Sequence, residues 1–152
     1  MESKQPVKRF EDLLVWQMSR ELVKEIYSIS NLWRDRSLQD QIRRASVSVM
    51  SNIAEGFERG TKDEFLYFLY ISRGSVGEVR SQLYIAIDQR FLSQVDFARI
   101  SDRADHVARL LYKLIESYKK KSYGGQRYSS WSEKTDTQFD TYLKSMVEKG
   151  KK

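Results

Sequence analysis

Residues 61 to 86 read TKDEFLYFLYISRGSVGEVRSQLYIA. Phe65, Leu69, Ser72, Val76, Val79, Leu83 and Ala86 recur there in strict four-three alternation, the spacing that keeps one edge of an α-helix turned toward a partner helix. Thr61 followed by Glu64 is a Ser/Thr-x-x-Asp/Glu capping box that predicts where the helix begins. The stretch therefore predicts a long helix whose seam has to be buried against others.

The rest of the chain supplies them. Val15, Met18, Leu22, Ile26, Ile29 and Trp33 recur at steps of three and four and predict a first helix from about Phe10 to Trp33. A second is predicted from a capping box at Ser37 and Asp40, with Leu38, Ile42, Ala45, Val49 and Ile53 as its stripe and Gly56 or Gly60 as its end. A fourth opens at Ser93 with Asp96 three residues on, and carries Phe97, Ile100, Ala104, Val107, Leu111, Leu114 and Tyr118. The connections are a few residues each, so consecutive helices fold back antiparallel. The expected fold is all-α, an up-down-up-down four-helix bundle over residues 8–120.

Composition agrees and sets bounds. In 152 residues, 40% apolar with proline only at Pro6, long helices can run uninterrupted around a real core. The absence of cysteine excludes a disulfide framework and a thiolate zinc site, and the single His106 excludes a histidine cluster. No apolar run approaches the length of a membrane span and the N-terminus lacks a signal-peptide pattern, so the expected location is cytoplasmic with no membrane partner. The net charge of +6 is mostly carried by residues 119–152, nine basic against four acidic, which leaves 18 against 17 before them. Bulk charge thus says little about the bundle.

From residue 121 the composition turns Gly/Ser-rich and polar, so residues 121–152 read as a basic tail behind a flexible linker. Within it Phe139, Tyr142, Leu143, Met146 and Val147 repeat at three and four, the pattern of a short amphipathic helix over 136–149. A disordered tail and a segment that folds on a partner both remain open.

The third helix holds more apolar surface than one seam uses. Residues 65 to 71 cover every side of two turns with Phe, Leu, Tyr and Ile, and Tyr84 lies in a second such run. Self-association through Phe65, Tyr67, Phe68, Tyr70 and Tyr84 is the simplest cover. The competing reading leaves Tyr67 and Tyr70 on the surface with their hydroxyls wet and has the C-terminal segment cover the rest. Gly74 and Gly77 in mid-helix cost about 1 kcal/mol each relative to alanine, which predicts close helix-helix approach there.

Beside the apolar stripes runs a polar one. Arg44, Ser48, Asn52 and Glu55 share a face of the second helix and Ser75, Glu78 and Gln82 a face of the third. Antiparallel packing predicts a network in which Arg44 or Asn52 meets Glu78, or Arg73 meets Glu55. No catalytic site is expected, because there is no triad, no phosphate-cradling glycine loop and no Glu-x-x-His pair for a di-metal bundle. No cofactor or metal is expected either.

Taken together, FEDLLVWQ at 10–17 and QIRRASVSVMSNIAEGFERGTKDEFLYFLYISRGSVGE at 41–78 resemble the four-helix-bundle proteins encoded in intervening sequences of bacterial 23S ribosomal RNA genes, over about residues 8–118. The architecture is also similar to that of the accessory variability protein of diversity-generating retroelements. The resemblance implies a homopentamer with a role near RNA. Two functions follow as expectations. In one, Arg43, Arg44, Arg59, Arg73, Arg80 and Lys119, Lys120 and Lys121 contact the phosphates of RNA or DNA, multiplied by assembly, with Tyr123, Tyr128 and Trp131 free to stack on bases. In the other, the oligomer is a scaffold that docks a larger enzyme such as a reverse transcriptase.

Overall fold

The structure is a computed structural model and describes residues 7–120. A single 3-10 turn at Phe10–Asp12 leads into four α-helices: α1 (Leu14–Ser30), α2 (Arg36–Glu58), α3 (Lys62–Asp88) and α4 (Gln94–Lys120). The amphipathic segment expected at 136–149, the aromatic residues of the tail and Lys121 lie outside the described residues.

The seam of α3 is buried at each of its seven positions, which the four-three spacing anticipates. It meets Val15, Leu22 and Ile26 of α1, Ile42, Val49 and Ile53 of α2, and Ile100, Val107, Leu111 and Ile115 of α4 in one core. Each fully buried Leu, Ile or Val contributes roughly 1.5–3 kcal/mol of transfer free energy. On α4 the buried residue of the last turns is Ile115, with Leu114 only half-buried at the edge. The helix is wound nearer 3.6 than 3.5 residues per turn, so a heptad reading drifts by one position near its end.

The ends of the helices follow capping chemistry, with two departures from the sequence reading. Thr61 Oγ1 accepts from the Glu64 backbone N–H at 3.3 Å and Ser93 Oγ from that of Asp96 at 3.0 Å, as their boxes predict. For α2 the cap is Asp35, whose Oδ1 accepts from the Leu38 N–H at 2.9 Å, while Ser37 already lies inside the helix. A carboxylate there satisfies an orphan N–H and also faces the positive end of the helix dipole. Helix one is shorter than expected: the extended backbone of Leu13 separates the 3-10 turn from α1, and Trp33 is buried beyond the helix end, stacked on Phe91 at 5.9 Å. Gly60 terminates α2 at φ +79°, and α3 ends in a Schellman turn in which Arg90 takes the left-handed position at φ 59° and Phe91 N–H reaches Ala86 O at 2.8 Å.

Small residues let α2 and α3 approach. Ser48 Oγ touches Ser75 Oγ at 2.8 Å, Ser72 Oγ donates to Val49 O at 2.6 Å, and a Cβ built on Gly56 would lie 2.6 Å from Phe68 Cβ. Gly56 is therefore a crossing point and not the end of its helix. Going from Ser48 to Arg59 along α2 runs back from Ser75 to Glu64 along α3, which fixes the antiparallel register. Gly56→Ala is expected to destabilise the fold by about 1–3 kcal/mol through overpacking, despite the better helix former, as read by urea unfolding. By the same measurement Asp35→Ala should cost about 1 kcal/mol and Ser37→Ala clearly less.

Candidate interaction surfaces of the bundle

Where α2 passes α1, an open groove of about 590 Å³ is lined by Tyr27, Asp40, Arg43, Arg44, Val47, Ser48, Ser51, Asn52 and Glu55. It brings together four of the residues singled out in the sequence, Arg43, Arg44, Asn52 and Glu55. Their states differ. Arg43 is half-buried, donates from Nε to Ser30 Oγ at 2.8 Å and lies over the Tyr27 ring at 4.8 Å. Ser30 ends α1, and Gln39 Nε2 donates to its carbonyl, so Arg43 and Gln39 together hold the negative end of that helix. Arg44 is exposed and has no ion-pair or ring partner among the described residues.

Asn52 Nδ2 is spent on Ser48, at 2.8 Å to its carbonyl and 2.9 Å to its hydroxyl. Glu55 pairs with Arg59 at 2.9 Å one turn along α2, and Arg59 also approaches Glu64 at 3.9 Å and covers the Phe68 ring. Glu55 raises the pKa of Arg59, through the hydrogen bond first and charge second. The expected pairs Arg73 with Glu55 and Asn52 with Glu78 do not form. The register places Glu55 beside the level of Phe68, so Arg73 is more than a turn away, and it stacks on Tyr112 of α4 at 5.7 Å instead. Arg44 and Glu78 do share a level, but both are exposed and make no salt bridge. Arg80 faces α4 and pairs with Asp105 at 2.7 Å. Lys119 and Lys120 occupy the last turn of α4.

The outer side of α3 is the second surface. Tyr67 and Tyr84 are each 62% exposed and Tyr70 41%, with Ile71 and Ile85 beside them. Phe65 corrects the sequence reading: at 4% exposure it is a core residue, set edge-on against Phe57 and Tyr118, because it begins the buried seam. Phe68 is half-buried between Gly56 and Arg59. Gly74 and Gly77 depart as well, for among the described residues a Cβ on either would meet nothing within 4 Å. Their helix-propensity cost finds no compensating contact among the described residues.

Sequence reasoning missed one cluster. Glu25 of α1 takes both Arg99 and Arg103 of α4, the latter at 2.6 Å, and Arg99 also meets Asp96 at 2.9 Å. Arg99 and the Ser93 hydroxyl hold the Asp96 carboxyl below its usual range. The partners are 74 residues apart, a pairing that no local pattern announces. Among the described residues no group of His, Cys, Asp or Glu could hold a metal ion, and no helix is long and apolar enough to cross a membrane.

Comparison with known proteins bears on this arrangement. A family model described as 23S rRNA-intervening sequence protein matches residues 11–113. No curated protein matches the chain. Among solved structures it is similar to a protein of unknown function from the S23 ribosomal protein family of Bacteroides thetaiotaomicron, at TM-score 0.64 and 21% identity, over 67% of this chain and 98% of that one. That likeness is one of fold.

The two arginines of the groove separate cleanly in stability. Arg43→Ala is expected to cost about 1–3 kcal/mol, since it strips a hydrogen bond from buried Ser30 and the stacking on Tyr27. Arg44→Ala should stay within about 0.5 kcal/mol. Chemical denaturation of the two variants checks both.

Proposed function

From the premise that the chain belongs to the 23S rRNA-intervening sequence protein family, whose model spans more than half of it, we propose that it is a non-catalytic accessory protein. In this reading it self-associates through the outer side of α3 and carries repeated arginines to RNA. What supports assembly is the exposed aromatic surface of α3, where Tyr67 and Tyr84 stay 62% exposed although each packs edge-on against one ring of its own chain, Phe68 and Phe97. Bundles of this size seldom leave such a patch on a monomer. Assembly as a homopentamer is the stoichiometry that the family resemblance suggests.

The observation that carries the RNA reading is Arg44, a free guanidinium in an open groove beside Ser51 and the uncommitted terminal nitrogens of Arg43. One such cation per copy is a weak phosphate ligand. A closed ring presents it several times along one surface, and phosphate contacts accumulate with number. DNA offers the same phosphates. Its chemistry is non-enzymatic in this proposal, and its place is the cytoplasm.

A second reading is favoured by the other arginines. Arg43, Arg59, Arg73 and Arg80 already have partners within the chain, which leaves the aromatic surface as the richer feature and suits a scaffold that docks a larger protein such as a reverse transcriptase.

Light scattering across a dilution series should give a mass well above the 18.0 kDa of one chain. A filter-binding titration against single-stranded RNA should show affinity falling steeply with salt, and Arg44→Ala should lower both the affinity and the salt slope. Binding insensitive to salt and to Arg44 would remove the RNA reading and leave the scaffold.

A further inference from the structure

The side of the bundle where α1 starts and α4 ends carries an apolar trough of about 280 Å³, lined by Leu13, Leu14, Val15, Leu110 and Leu114 together with Lys113. A benzene-sized ring fits a cavity of about 150 Å³, so the trough has room for a large side chain, and Leu14 beside it is 53% exposed. We propose that the outer line of α3 packs into this trough on a second copy of the chain. The inference rests on the self-association stated above and adds which two surfaces meet.

Three observations join them. Tyr67, Ile71, Gly74 and Glu78 follow one another at steps of four, three and four, so they form one line on the outer side of α3. Gly74 opens a gap in that line that nothing among the described residues fills. The second is level. Phe65 meets Tyr118 at 5.1 Å and Arg73 lies over Tyr112 at 5.7 Å, so α3 from 65 to 73 stands at the height of α4 from 112 to 118, the height of the trough. A closed ring about an axis parallel to the helices preserves height, bringing Tyr67 and Ile71 of one copy opposite the trough of the next.

The third is charge. Glu78 is exposed and has no partner among the described residues, and the same holds for Arg109 and Lys113, one turn apart on α4. The Arg80–Asp105 pair sets the α3–α4 register and puts Glu78 near the level of Arg109. An α3 laid antiparallel on the α4 of the next copy therefore sets Ile71 near Leu114, Gly74 near Leu110 and Glu78 near Arg109. The line and the trough lie on different sides of the molecule, so the contact is head-to-tail, and the groove holding Arg44 stays open.

The chain has no cysteine, which makes cross-linking a clean test. Ile71→Cys and Lys113→Cys are prepared separately, checked for helicity, and oxidised alone and mixed. The mixture should give a covalent dimer in strong excess over either variant alone. Glu78→Arg should loosen assembly about tenfold or more by setting like charges together, and adding Arg109→Glu to the same chain should restore it. Cross-linking of Ile71→Cys with itself would mean that two α3 faces meet across a two-fold axis and would overturn the proposal. An intact oligomer with no cross-link in the mixture would place the interface elsewhere, overturning the inference while leaving self-association in place. A monomer by light scattering would overturn both.

Discussion

The close approach of α2 and α3 is the constraint on which the rest of the bundle depends. It is made by the absence of side chain at Gly56 and by hydroxyls at Ser48, Ser72 and Ser75 that bond across the gap. Buried hydroxyls are costly unless partnered; Ser72 finds its acceptor only across the gap at Val49 O, and Ser48 and Ser75 bond each other across it in addition to the bonds they make within their own helices. The seam is therefore narrow and specific, and it sets which α2 side chains stand level with which on α3. That level keeps Arg73 out of reach of Glu55, which pairs within α2 with Arg59, and Arg73 turns to Tyr112 of α4 instead.

From this follows the division of the surface. Arginines near an acid or a ring are engaged by it at the surface, as Arg43, Arg59, Arg73 and Arg80 are. Exposed pairs of this kind contribute little stability each, but they remove cations from the set available to a phosphate backbone. Among the charges that stay uncommitted are Arg44 in the groove, Glu78 on the outer line of α3, and Arg109 and Lys113 on α4.

Much of the fold was legible because hydrophobic periodicity is a local signal. The α3 seam and the Thr61 and Ser93 caps could be read residue by residue. The α2 start was misplaced because a Ser-x-x-Asp pattern at Ser37 competes with a single aspartate two residues earlier, and only backbone geometry decides between them. Phe65 looked like surplus surface because a run apolar on all sides does not say which side faces in. The ion pairs were least legible. Glu25 with Arg99 and Arg103 needs the α1–α4 juxtaposition, and the misassigned partners of Glu55 and Arg73 needed a register that capping and spacing leave free by a turn or more. Gly74 and Gly77 stand out as mid-helix glycines, yet no close approach among the described residues accounts for them.

The order of helices along the chain has a bearing on how the molecule is made. The α2–α3 hairpin closes across a turn of three residues and zips from Arg59 and Glu64 up to Ser48 and Ser75, contacts of short sequence separation whose closure entropy is small. The α1–α4 contact, held by Glu25 and Arg99, joins segments 74 residues apart. During vectorial synthesis α1 emerges first but has no partner for its last side until α4 is complete. The aliphatic positions of α1 are thus uncovered for longer than those of the other helices, and the polar residues that separate them along α1 keep that waiting segment from being a continuous apolar run.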